Sequence, residues 1–179
     1  MSFQVVALLA FQMIYGYLFY KIGIILTAFM VGLAAGGWSI MKAMPALKNE
    51  RRAFLWIQVC LVVYPALLPV LFTWVNAAHG SVMRWIGANV VFIVMPALAG
   101  FVGGLQFPLA GRMLLGEDAA TGRIGGFTYG IDLLGACAGA LLTGAILIPV
   151  IGITQTCLAI AFMNTLILCI LLLCNYESR

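Results

Sequence analysis

Few residues in this chain are able to do chemistry, and their placement limits what that chemistry can be. Asp132 is the one acidic side chain inside a long apolar segment. An ionisable group in such a place is expensive, and it marks an ion, a proton or a partner charge. Arg112 and Arg123 close and open the neighbouring segments on the same side, so three readings of Asp132 fit: an anchoring ion pair, a proton or cation site, and a docking contact. The start of its own helix also favours a carboxylate nearby. A single carboxylate does not run acid/base catalysis of the paired kind. Gln106, with Phe107 and Pro108, ends another apolar segment, where its amide can bond a carbonyl freed by the proline. His79 is the only histidine, so no bis-histidine haem forms within the chain. There is no C-x-x-C-H, no phosphate loop followed by Lys, no H-E-x-x-H and no Ser/His/Asp set.

Glycine is the second informative class. Gly32 and Gly36, Gly100 and Gly104, and Gly135 and Gly139 are each spaced i, i+4. That spacing puts each pair on one helix face, where a missing side chain lets a neighbouring backbone approach. Close packing and hinge formation are both open to these glycines.

The elements that must position these residues follow from composition. Of 179 residues, 65% are apolar and 8% charged, with a mean hydropathy of +1.16. Soluble domains carry about 25% charged residues, so lipid or other protein must face most of this surface. The apolar runs are continuous and do not alternate, and their length suits helices crossing about 30 Å of hydrocarbon. The expected fold is all-α: one domain over residues 1–179, a polytopic membrane bundle of about six transmembrane helices. The spans are expected at residues 3–20, 24–44, 53–75, 84–109, 127–150 and 154–175, with a tight turn at Lys21–Gly23 and kinks at Pro65, Pro69 and Pro96. The N-terminus lacks the marks of a cleaved signal and reads as the first span. The five cysteines all fall in apolar segments and read as small apolar residues.

Orientation follows from the basic residues. Lys42, Lys48, Arg51, Arg52, Arg112, Arg123 and Arg179 fall on one side, and Lys21 and Arg84 on the other. Under the positive-inside rule this asymmetry puts both termini in the cytoplasm, with the chain multi-pass in the cell (inner) membrane. Tyr15, Tyr17 and Tyr20 with Lys21 read as an outer interfacial belt with a snorkelling lysine. The seams at 32–36 and 135–139 fall in the second helix of each half. They fit either a 3+3 internal repeat or coincidence among small residues.

The stretches FQMIYGYLFYKIG at 11–23, AFMVGLAAG at 28–36, GLQFPLA at 104–110, the run from Gly122-Arg123 to Tyr129, and DLLGACAGALLTG at 132–144 followed by Pro149 resemble, in order, the membrane part of spermidine/spermine synthase-like integral membrane proteins. In that family the resemblance implies transporter-like helices fused to a synthase domain that transfers an aminopropyl group from decarboxylated S-adenosylmethionine. This chain has no soluble segment long enough for such a domain, so no catalytic residue carries over. The expectation is a non-catalytic membrane subunit that anchors or scaffolds partner proteins, in a redox or polyamine-synthase-like complex. The alternative is a half-transporter for a small, polyamine-like solute, acting as a dimer. Partners are membrane lipid and other membrane or membrane-associated subunits, with no nucleic acid. No cofactor is expected beyond lipid or quinone at the surface. The orientation predicts that tags in the Arg51 loop and after Arg179 are cleaved by protease from the same side of sealed vesicles; cleavage from opposite sides would reverse it.

Overall fold

The computed structural model describes residues 1–16, 19–47, 49–77, 87–115 and 121–177. Lys48, His79, Arg84, Glu117, Asp118 and Arg179 lie outside them. Among the described residues there is no strand. The helices are α1 (Ser2–Tyr15), α2 (Phe19–Ala43), α3 (Glu50–Ala77), α4 (Phe92–Leu115), α5 (Thr121–Leu141) and α6 (Ile148–Glu177). A 3₁₀ turn (Met44–Ala46) follows α2, and π-helical turns (Gly87–Val91 and Leu142–Leu147) precede α4 and α6.

Among the described residues four stretches are long and apolar enough to cross a membrane: Tyr20–Ala43, Glu50–Trp74, Asn89–Met113 and the 45-residue Tyr129–Leu173. α1 has 14 residues, about 21 Å at 1.5 Å per residue, short of the hydrocarbon thickness. The expected first span is therefore cut back, and the turn moves from Lys21–Gly23 to Gly16. Gly16 takes φ 83° and ψ −170°, a region closed to side chains with a Cβ, and its N–H bonds the Gln12 carbonyl. Lys21 and Gly23 are helical, in the first turns of α2. The 45-residue stretch is about twice what one crossing needs. It is interrupted at Gly152, with φ 83° and ψ 168°, close to the break expected between residues 150 and 154.

α2 and α4 form the most extensive helix contact. They run parallel in one register: Lys21 bonds Asn89 and Arg112 bonds the Met44 carbonyl, each pair 68 residues apart. The same offset relates Gly32 to Gly100 and Gly36 to Gly104. Here backbone lies on backbone. A Cβ on Gly32 would overlap the Ala97 carbonyl oxygen, and one on Gly36 that of Phe101. On the other helix, a Cβ on Gly100 would meet the Phe29 oxygen and one on Gly104 the Leu33 oxygen. Lipid is as apolar as leucine, so helices in it hold together by such van der Waals contact, helped by Cα–H···O contacts. The third glycine pair behaves differently. Nothing lies within 4 Å of a Cβ on Gly135, and Gly139 meets only the Ser2 hydroxyl, at 3.0 Å. The two seams read as copies thus sit in unlike surroundings.

α1 threads the middle and touches each of the other five helices. Val6, Ala7, Ala10 and Phe11 are buried on it. Phe11 meets Phe92 edge-on with centroids 5.4 Å apart, and Phe92 stacks on Phe72 at 5.8 Å, joining α1, α4 and α3. The Tyr64 hydroxyl donates to the Met95 carbonyl at 2.9 Å, beside Pro96. A second cluster, Ile40, Ile57, Leu61 and Leu109, ties α2, α3 and α4 at the other end.

Gly36→Ala and Gly104→Ala are expected to cost about 1–3 kcal/mol or more, as over-packing against rigid backbone does. Gly135→Ala should be neutral or slightly stabilising, since alanine is the better helix former by about 1 kcal/mol. Reversible unfolding in mixed micelles compares the three; equal losses at all positions would refute the contact geometry.

Candidate functional site

Three uncharged amides from three helices meet inside the bundle. Gln58 on α3 is 1% exposed. Its Nε2 donates to the Asn164 carbonyl at 3.2 Å and to Asn164 Oδ1 at 3.4 Å, on α6. Its Oε1 accepts from Gln106 Nε2 on α4 at 3.2 Å. Asn164 in turn donates from Nδ2 to the Ile160 carbonyl one turn back, at 2.8 Å. A buried amide without partners loses its hydration uncompensated, so this chain of bonds fixes the relative rotation of α3, α4 and α6.

Gln106 and Asn164 form part of the wall of a cavity of about 460 Å³. α1 contributes Phe3 to it, α2 Phe29, Leu33 and Gly37, α3 Leu61, and α4 the run Gln106-Phe107-Pro108 with Gly103 and Gly104. From α5 come Tyr129, Asp132 and Ala136, one turn apart on one helix face. Phe107 and Tyr129 meet edge-on with centroids 6.3 Å apart. A mostly apolar concavity with a few convergent polar groups is the usual make-up of a small-molecule site, and the volume lies within the range of such sites.

Asp132 is exposed on the cavity's rim. Met1 lines the same cavity. Burial lowers the pKa of its amino group, and the Asp132 charge opposes that shift. The expected bond between Asp132 and Arg112 is not made. Arg112 Nε pairs with Glu50 Oε1 at 2.9 Å, and its Nη1 donates to the Met44 carbonyl at 3.4 Å. Glu50 opens α3, where a carboxylate is favoured by the helix dipole, and Asn49 Oδ1 accepts from the Arg52 N–H at 3.4 Å. One guanidinium thus ties the ends of α2, α3 and α4. The backbone of Arg123 lies in α5, with its side chain outside the described ones.

The remaining basic residues divide. Lys42 lies over the Trp38 ring, 3.8 Å from its centroid. Arg51 and Arg52 are exposed at the start of α3. Lys21 does not snorkel to a surface; it is 6% exposed and bonds the Asn89 side chain in the π turn before α4. Among the described residues no group of three His, Cys, Asp or Glu side chains comes together as a metal site would need.

Gln58, Asn164 and Glu50 are the residues that motif reasoning passes over. Gln58 and Asn164 carry a legible signal all the same: each is a lone amide in a long apolar run, where it must find a partner on another helix.

Gln58→Leu is expected to destabilise the bundle by about 1 kcal/mol, typical of interhelical bonds in membranes, with Gln106 and Asn164 left unpaired. Adding Asn164→Leu should cost less than it does alone, in a double-mutant cycle by micelle unfolding; strict additivity would mean that the amides do not interact. Comparison with known protein families, curated proteins and solved structures returned no match, so the meaning of the site rests on its own chemistry.

Proposed function

We propose that this chain is a non-catalytic membrane module that binds a small solute within its helix bundle, as one half of a transporter. The observation that carries this reading is the 460 Å³ cavity, which six helices line and in which two amides, a phenol and a carboxylate converge among apolar walls. A purely structural bundle in lipid has no reason to leave that space, because helix association there depends on filled contacts. The same reading takes the crossings as six, with the 45-residue stretch counted twice at Gly152 and α1 as a short first crossing. Both termini would be cytoplasmic in the inner membrane, as the basic residues imply. The transporter-like helices of the family that the sequence resembles agree with it.

A second reading, a scaffold for partner proteins, draws on α5 and α6. Leu134, Val150 and Leu173 are each at least 69% exposed, and the Gly135 face is open. Lipid or a further subunit would cover that surface.

Gly103 lines the cavity, and a Cβ there meets nothing within 4 Å, so Gly103→Leu puts volume into the space without a backbone clash. Proteoliposomes holding the wild-type chain are expected to take up radiolabelled tetraethylammonium above protein-free vesicles. Gly103→Leu should reduce that uptake by about tenfold, and Gly130→Leu, also open but off the cavity wall, should leave it intact. No uptake of the probe by well-folded protein, together with a single partner recovered on co-purification, would favour the scaffold.

A further inference from the structure

The lining of the cavity says which charge its solute carries. Among the described side chains of the wall, Asp132 is the only one with a formal charge. The other polar side chains, Gln106, Asn164 and Tyr129, are neutral. We infer that the cavity takes a monovalent organic ammonium ion carrying one hydrogen-bonding group, rather than a polyamine or a neutral solute. This rests on the cavity being a solute site, and it narrows the solute to one class.

A single ammonium beside Asp132 matches the one charged side chain among the described residues of the wall. Each further ammonium of a polyamine would be enclosed by Phe3, Phe29, Leu33 and Leu61 with no counter-charge, and an unpaired ion in such surroundings is strongly disfavoured. Next to Asp132 on the same wall stand two aromatic rings, Phe107 and Tyr129, held edge to face. Ring faces attract ammonium groups, quaternary ones in particular. The amides of Gln106 and Asn164 then offer the uncharged end of the solute a hydrogen bond. Gln58 does not line the cavity but bonds both amides, which makes it a positioning residue.

The test is equilibrium binding to the full chain in lipid nanodiscs, with three probes. Choline is a monovalent ammonium with one hydroxyl; 3,3-dimethylbutan-1-ol has the same shape without charge; spermidine carries several charges. Choline is expected to bind about tenfold or more tighter than either of the others, from the combined ion-pair and ring terms. Asp132→Asn should remove most of choline's advantage over its neutral isostere while the isostere binds as before, which also shows that the variant is folded. Tighter binding of spermidine, or a choline preference that survives Asp132→Asn, would overturn the monocation assignment while leaving the cavity as a solute site. If no probe binds, or if Gly103→Leu binds all three like wild type, the cavity itself is not a site, and the reading beneath this one fails with it.

Discussion

Contact of one helix backbone on another, between α2 and α4, is the constraint from which the rest of the arrangement follows. Four glycines, Gly32, Gly36, Gly100 and Gly104, each leave room that a carbonyl of the facing helix occupies. In water such a contact would be a minor part of a core held by apolar burial. In lipid, exposing an apolar side chain costs little, so close packing and polar bonds must hold the helices. The register set at the glycines runs along the whole pair. It brings Lys21 to Asn89 at one end and Arg112 to Met44 at the other.

The cavity is a consequence of that same approach. Gly104 touches α2 with its backbone and, as a cavity-lining residue, opens the space beside the contact; Leu33 and Gly37 of α2 line it with Gly104. Gln106 and Phe107 follow within one turn of Gly104, so their direction is fixed by a helix that cannot rotate without driving its carbonyls into α2. α3 and α6 are locked to that frame by the Gln58–Asn164 bonds. α1, 14 residues long, fills the middle with Phe11 against Phe92. α5 and α6 are the most exposed part: of the most apolar window in Tyr129–Leu173 only 17% is buried.

The helical class and the apolar stretches were legible because lipid demands long, unbroken runs, and these stand out at any register. The break near Gly152 was legible too, since Pro149 and Gly152 fall together after more than 20 apolar residues. The turn at Gly16 was not. Lys21 is the only charge near there and draws the turn toward itself, yet it is accommodated inside α2 by a partner 68 residues away. Spacing likewise groups three glycine pairs as equals. Gly32, Gly36, Gly100 and Gly104 differ from Gly135 only in what faces them, and a single helix carries no record of its neighbours. The amide cluster was half visible: Gln106 stood out beside Pro108, whereas Gln58 and Asn164 became meaningful only once α3 and α6 were side by side.

The distribution of charge links the frame to the site. Arg112 was one of two partners that the sequence offered Asp132, Arg123 being the other, and Arg112 is committed to Glu50 instead. Glu50 opens α3, where the dipole already favours a carboxylate, and Arg112 sits in the last turn of α4, where the dipole favours a cation. Their 2.9 Å pair is therefore supported by both helices before the ions attract each other. Asp132 has no such support from the end of its helix: it lies well inside α5, beyond the first turn to which the dipole effect is confined. A carboxylate kept there, one turn from Tyr129 and across from Gln106, adds nothing to the clasp that closes α2, α3 and α4. What it does is set, on the cavity's rim, the one charged side chain among the described residues of the wall.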